Sequence, residues 1–511
     1  MLLPWLILIP FISGLICLPL EYFYMKLSRW IALIALIIVL LLTILIWLLI
    51  NDNSLIMPTA FGLPQWRYEY SLSWIPRFGI SFHLALDGIS LLMLMITALI
   101  GIMAVLCSWK EIDQNIGIFY LNLLFVISGI IGIFIAIDLF LFFCFWEMML
   151  IPMFFIILLW VQKEFQEDRK INTAIKFFIY TQGSGLLMLI AIISLALIYY
   201  SHTGVWSFKY DLLLQQNNMS YPIEYILMLC FFITFAVKLP IIPLHGWLID
   251  VHDQAPTAGS LSILLKTAAY GLLRFSLPLF PTTSMDFAPI AKGLGLINIF
   301  YGAWMAFNQT DLKRVIAYSS VSHIGLILIA IYTGNNLAFQ GAVFQMICYS
   351  ISTAGLFILC GQLYERLHTR NMYNLQKIWR NINSIPAFVL FFSLATMGIP
   401  GTGNFIGEFL ILVSSYNIAP YLTGIATIGI VFTTIYILMM MQRLYFGSPS
   451  SHKHSFHPMT IRECSIIIIL IVLLVWLFIY PQFIINISYV PLNNIKQWIF
   501  NTISIQSDLF L

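Results

Sequence analysis

The sequence predicts an all-α membrane protein of about fourteen transmembrane helices, with two inverted five-helix repeats and two discontinuous helices. Three observations carry this. The 511 residues are 61% hydrophobic and only 9% charged, a balance that no dispersed soluble domain keeps. Apolar runs of bilayer-spanning length follow one another almost without pause. Within two of those runs, Pro240 with Pro243 and then Pro400 interrupt the helical pattern, because proline lacks a backbone donor and clashes with the preceding turn.

The spans fall at approximately 3–20, 30–50, 86–107, 117–136, 139–160, 172–200, 222–250, 258–280, 286–308, 313–333, 335–363, 385–412, 420–446 and 462–482. No Lys or Arg precedes Lys26, so the first run reads as a retained helix and not as a cleavable signal. Residues 51–85, with Pro58, Pro64 and Pro76, read as an external loop, and 365–384 as the longest basic loop. The last stretch, 483–511, is too polar to span and reads as an amphipathic surface segment. Loops after odd-numbered spans hold about fifteen Lys and Arg, and those after even-numbered spans with both tails about five. The excess sets the odd loops in the cytoplasm and both termini outside.

The net charge of +3 is spread over many loops, which points away from nucleic acid. The seven cysteines (17, 107, 144, 230, 348, 360, 464) include no Cys-x-x-Cys pair and read as packing residues. The His452, Lys453, His454, His457 tract lacks acidic ligands and reads as a loop, not a metal site.

The chain also repeats itself. Asp138-Leu-Phe opens span five and Asp311-Leu-Lys opens span ten. Gly183-Ser-Gly-Leu-Leu-Met-Leu in span six is similar to Thr353-Ala-Gly-Leu-Phe-Ile-Leu in span eleven, and Pro240 is matched by Pro400. Five spans separate each pair, an odd number, so the copies lie in opposite orientations, as in secondary transporters. The predicted organisation is helices one to three over 1–116, a first repeat (spans four to eight) over 117–280, a second (spans nine to thirteen) over 281–447, and span fourteen with the tail over 448–511.

Charged residues inside the spans carry the functional reading. A lysine at membrane depth costs ~2.5–3.5 kcal/mol on insertion scales and marks an ion path. Lys238 stands beside Pro240 and Pro243, and Lys266 is a second intramembrane lysine. Glu147 lies nine residues beyond Asp138, roughly 13 Å along a helix, and reads as the partner of Lys238, the separation of the two tuning their proton affinities. Glu408 follows the Pro400, Gly401, Gly403 break, and His323 shares a polar face with Ser319, Ser320 and Ser322. His245 lies within the broken seventh span and His252 at its edge. Lys176 and Arg274 read as span-end anchors. A static buried ion pair is a weaker explanation for Glu147 and Lys238, since apolar replacements of such pairs are often more stable. His323 taken alone reads equally as a hydrogen-bonded core residue.

Four motifs then coincide with a known family: Asp138-Leu-Phe-Leu-Phe-Phe-Cys-Phe-Trp-Glu147, Lys238-Leu-Pro-Ile-Ile-Pro-Leu-His-Gly-Trp-Leu248, Gln254-Ala-Pro-Thr-Ala-Gly-Ser260 and Gly398-Ile-Pro-Gly-Thr-Gly-Asn-Phe-Ile-Gly-Glu-Phe409. The chain resembles, over essentially its whole length, the M-type antiporter-like proton-pumping subunits of NADH:quinone oxidoreductase (respiratory complex I), which are related to multisubunit cation/proton antiporters. The resemblance implies that Glu147 and Lys238 regulate a first half-channel, that Lys266 and His323 are central relays and that Glu408 is the terminal proton carrier, where L- and N-type chains use lysine. His245, Pro240 and Pro400 support the path. It implies L-type, N-type and small membrane subunits as partners, with the bilayer of a bacterial inner membrane around them. No cofactor is expected in this chain; NADH, FMN, iron–sulfur clusters and quinone belong to partner subunits. Two departures stand out. Ile249 replaces a usual third proline, and Tyr349 stands where the family often has histidine. A phenol of ordinary pKa near 10 relays protons less readily than imidazole. The rival readings are a cation/proton antiporter subunit without a redox partner, a haem- or quinone-binding oxidase subunit using His245 and His323, and a scaffold whose charges only fix packing.

Overall fold

Two aspartates set the frame. Asp138 precedes the Leu139–Met148 helix and its Oδ1 accepts the backbone N–H groups of Phe140 (3.0 Å) and Leu141 (3.2 Å). Asp311 does the same for Leu312–Ile331, accepting from Lys313 (2.8 Å) and Arg314 (3.2 Å). Such caps satisfy donors that a helix start otherwise leaves orphaned. Each aspartate also sits in a short antiparallel bridge, to Lys209 and to Asn371. The flanking bonds match: Leu139 N–H to Phe208 and Tyr210 N–H to Ile137 in one, Leu312 N–H to Arg370 and Met372 N–H to Thr310 in the other.

The computed structural model describes residues 2–23, 26–51, 62–160, 167–215, 219–263, 266–373, 384–445 and 458–509. Among them twelve helices are long and apolar enough to cross a membrane. Predicted span twelve is helical but divided, and predicted span eight is described in segments. The eighth runs as Thr257–Ile263, Thr267–Gly271, a π turn over Leu272–Ser276 and Leu277–Leu279. The twelfth runs as Ile385–Thr396 and Gly403–Tyr416. The sequence placed discontinuities in spans seven and twelve, and helix is interrupted in both, between Lys238 and Gly246 and between Thr396 and Gly403. Span five bends at Met149, between Leu139–Met148 and Leu150–Leu159, where Pro152 has no N–H to offer the Met148 carbonyl. The Leu312–Ile331 and Asn336–Leu367 helices are almost wholly buried and form the centre; Leu3–Phe23, Leu27–Asn51 and Ile461–Ile479 lie at the periphery with apolar side chains turned outward.

The 51–85 region is more than a loop. Strands β1 (Tyr68–Ile75) and β2 (Ile80–Leu86) pair antiparallel, Tyr68 opposite Leu86, with a bulge between Ser73 and Ile75. Ser81 donates its N–H (3.0 Å) and hydroxyl (3.1 Å) to Asp138 Oδ2, and Ile137 N–H bonds the His83 carbonyl. One carboxylate therefore caps a helix and fastens a hairpin. The closing segment is the helix Gln482–Leu509, whose Ile484, Ser488, Leu492, Ile495 and Ile499 form one buried stripe at helical spacing. Its Trp498 Nε1 donates to the Pro278 carbonyl at 3.0 Å. The His452–His457 tract lies outside the described residues.

Replacing Asp138 by alanine removes four accepted hydrogen bonds. The expected loss is roughly 2–4 kcal/mol, read as a lowered thermal midpoint of the detergent-solubilised chain. Asp138→Asn, which keeps one acceptor oxygen, should lose less; an unchanged midpoint in Asp138→Ala would show that the cap contributes nothing.

Candidate functional site

The site begins where the seventh span breaks. The helix Tyr221–Lys238 stops at Lys238, and helix resumes at Gly246–Gln254. A broken helix is tolerated at membrane depth only where its freed groups are met by protein or water. Here Asn298, buried on the Pro281–Asn308 helix, meets them: its Oδ1 accepts from Ile242 N–H (2.9 Å) and its Nδ2 donates to the Pro240 carbonyl (3.4 Å). Trp247 Nε1 closes the Val237 carbonyl at 2.8 Å. Nothing in the sequence singled out Asn298, since a lone asparagine in an apolar run carries no periodic signal.

Lys238, left at the break, points to the bend of span five. Its Nζ lies 3.8 Å from the centroid of the Trp146 ring and 3.2 Å from Met149 Sδ. Glu147 sits between those two in sequence, yet the described residues hold no ion pair of 4.0 Å or less between it and Lys238. The two are thus separated: the ammonium is held on an aromatic face and a thioether, with the carboxylate alongside. The Glu147 carboxylate packs instead on Gly185, where an added Cβ would lie 1.9 Å from its Oε1. A cavity of about 50 Å³ adjoins Lys238, bordered by Trp146, Met149, Thr181, Ser262 and Thr267, large enough for several waters.

The second lysine lies on predicted span eight. Lys266 is buried and immediately precedes Thr267–Gly271. A cavity of about 20 Å³ joins it to Lys238, bordered also by Pro240, His252, Thr267 and Ser320. His252, placed at a span edge by the sequence, is in fact buried and stacked on Phe357 at 4.8 Å. Lys266 Nζ lies 5.6 Å from the Tyr349 ring centroid, and Tyr349 lies against His323 with ring centroids 4.4 Å apart. The Tyr349 hydroxyl is 3.2 Å from Ser319 Oγ, which accepts from Tyr436 at 2.8 Å.

His323 Nδ1 lies 3.3 Å from Glu408 Oε1, and Gln345 Nε2 donates to that oxygen at 3.3 Å. Glu408 is on the helix that follows the second break. Asn404 ties the two sides of this break: its Nδ2 donates to the Ala395 carbonyl, which also accepts from Gly398 N–H, and to Ser352 Oγ, both at 2.9 Å. Gly398 has φ +69°, open to glycine at no steric cost, and a Cβ there would lie 2.2 Å from Glu408 Oε2. The break shapes the seat of the carboxylate.

Lys238, Lys266, Tyr349, His323 and Glu408 are thus brought into one series across the fold. His245 stands outside it, packed on Tyr301 (5.1 Å) and Tyr318 (6.5 Å). Arg274 is no surface anchor: it is buried, ion-paired with Asp87, which caps Gly88–Glu111, and 4.8 Å from the Trp66 ring centroid. The π turn at Leu272–Ser276 is where it sits. Lys176 is half-buried and pairs with Asp250 at 2.6 Å.

Residues 136–433 match the family described as NADH:quinone oxidoreductase/Mrp antiporter, TM. The chain is 56% identical over 509 residues to NADH-quinone oxidoreductase subunit M of Escherichia coli (strain K12), 99% of each chain being covered. It is 52% identical over 503 residues to the subunit M of Pseudomonas aeruginosa, covering 98% of each. Among solved structures, a chain of respiratory complex I from Thermus thermophilus superposes with a TM-score of 0.83 at 23% identity, covering 98% of this chain and 100% of that one. A chain of the Mrp complex from Dietzia sp. DQ12-45-1b gives 0.81 at 16% identity, covering 98% and 99%. These two likenesses are of fold. The full-length identity goes further, and the chain belongs to the NADH:quinone oxidoreductase/Mrp antiporter family of membrane subunits, among its subunit M members.

Proposed function

We propose that this chain is a proton-translocating membrane-arm subunit of NADH:quinone oxidoreductase. It moves protons outward across a bacterial inner membrane, driven by quinone reduction in other subunits. The observation that carries the reading is the series Lys238, Lys266, Tyr349, His323 and Glu408, which runs between two helix breaks, each hydrogen-bonded by a buried asparagine. Groups that exchange protons, set within reach of small cavities at membrane depth, mark a proton path. The full-length identity with subunit M relatives favours this over an antiporter working without a redox partner.

In this reading a charge change near Glu147 shifts Lys238 on its aromatic seat and passes its proton to Lys266. From there it moves along Tyr349 and His323 to Glu408, which holds and then releases it. The matched caps at Asp138 and Asp311 and the paired breaks support two inverted repeats over 117–280 and 281–447. The partners are other membrane subunits of the complex, L-type and N-type chains among them, and the redox groups lie outside this chain.

Glu147→Ala and Lys238→Ala are expected to assemble and to lose about tenfold or more of coupled proton pumping, the scale of a positioned acid or base. Normal pumping by both would make the pair structural. Glu408→Lys should keep part of the activity while Glu408→Ala and Glu408→Gln lose it, since neither can titrate; pumping per NADH in vesicles is the measurement, and a fully active Gln variant would remove Glu408 from the path. The orientation places both termini in the periplasm. A cysteine introduced at exposed Ser71 should react with an impermeant reagent added from that side and one at exposed Asn371 should not; the reverse pattern would invert the topology.

A further inference from the structure

Glu408 meets two side chains at one oxygen: His323 Nδ1 and Gln345 Nε2 each lie 3.3 Å from its Oε1. His323 can carry a proton and Gln345 cannot. Gln345 stands one turn before Tyr349 on the Asn336–Leu367 helix and is fully buried. Its Nε2 donates to the carboxylate, while its Oε1 is buried with no hydrogen-bond partner among the described residues. That oxygen lies against Gly407, where an added Cβ would stand 2.4 Å from it. The amide thus reaches two successive residues of the Gly403–Tyr416 helix, one end engaged and the other unmet. Besides His323 on the Leu312–Ile331 helix, the titratable groups that face Glu408 are Tyr349 and, on the Pro420–Tyr445 helix, Tyr436.

A buried amide with an unmet oxygen costs free energy, and methionine would fill the same space without that cost. Glutamine differs in carrying a donor and an acceptor at one tip, exchanged by a half-turn about a soft, two-fold torsion. An ionised carboxylate only accepts hydrogen bonds, whereas the protonated acid also donates one. A proton passed from His323 Nδ1 to Glu408 Oε1 therefore sets an O–H against the hydrogens of Gln345 Nε2. We propose that Gln345 is a positioning residue for the terminal proton carrier, turning its amide with the charge state of Glu408: Nε2 donates to the carboxylate, and Oε1 accepts from the acid. Gly407 leaves the space for the turn. The proton moves from His323 to Glu408 and onward, and none resides on Gln345. Glu408 keeps a partner in both states, so neither gain nor loss of its proton strands a buried polar group. The bond to the carboxylate is the charge-assisted one and the stronger of the two, so the amide favours release.

The inference rests on the proton-translocating reading. It is tested by the pH profile of proton pumping in vesicles containing assembled complex with Gln345→Met, which keeps the length and loses both polar atoms, and Gln345→Glu, which keeps the shape and loses the donor. With Met, the pH below which pumping falls should rise by about one unit, since a hydrogen bond to a charged group outweighs one to a neutral group by roughly that much. With Glu the rise should be larger, because a second carboxylate so close keeps one of the two protonated. Added to Glu408→Gln, neither substitution should lower the residual rate further, for no charge is left for the amide to follow. Either variant decides the point if the other does not assemble. An unshifted profile, a fall that is equal at every pH, a further loss on top of Glu408→Gln, or failure of both variants to assemble would overturn the proposal and assign Gln345 to packing. If Glu408→Gln stops pumping while the Gln345 variants keep the unaltered profile, only the role of the amide is wrong; if Glu408→Gln pumps normally, the reading of Glu408 as a proton carrier fails with it.

Discussion

The fold depends on closing two broken helices inside a bilayer. Each unmet backbone group in hydrocarbon costs several kcal/mol, so a break survives only where its freed groups find partners. Asn298 accepts from Ile242 N–H and donates to the Pro240 carbonyl inside the gap between Lys238 and Gly246, and Asn404 donates to the Ala395 carbonyl beside the gap that begins at Met397. Backbone bonds from Gly398 N–H to Ala395 and from Ile399 N–H to Leu394 share that second task. With them, Lys238 is delivered at one helix end and Glu408 is seated one turn beyond the other.

The charges so placed are held by soft partners. Lys238 rests on Trp146 and Met149, Lys266 on the Tyr349 ring, and His323 between Tyr349 and Glu408. Breaking a tight buried ion pair costs ~3–5 kcal/mol, whereas a desolvated cation over an aromatic face gains about 2 kcal/mol. An ammonium on a ring is therefore easier to discharge than one locked to a carboxylate. The Arg274–Asp87 pair shows the contrast within the same molecule: there the charges are fully engaged, one of them caps a helix, and both lie outside the series.

Much of this was legible in the sequence, for stated physical reasons. Span lengths, the prolines and the two Asp-Leu starts report local backbone requirements, so the apolar, all-helical membrane character, the breaks at 240 and 400 and the helix starts at 138 and 311 follow from them. Lys266, His323 and Glu408 were legible because charge in an apolar run is costly. What stayed hidden depends on partners distant in sequence. Asn298 is mute until Pro240 is brought beside it. His252 reads as a span edge until the seventh helix is seen to resume after its break and bury it. The spacing of Glu147 and Lys238 reports that the two share a neighbourhood but not what lies between them, because which of Trp146, Glu147 and Met149 turns toward the lysine is settled by packing, with Glu147 against Gly185.

The central claim is that protons cross the middle of the bundle on titratable side chains, and Lys266 is the link that joins the two halves. The direct measurement is the number of protons pumped per NADH oxidised, in vesicles containing fully assembled complex with Lys266→Leu. That ratio should fall while assembly is retained. A ratio equal to that of the unaltered complex would contradict it, because the proton path would then not pass through Lys266.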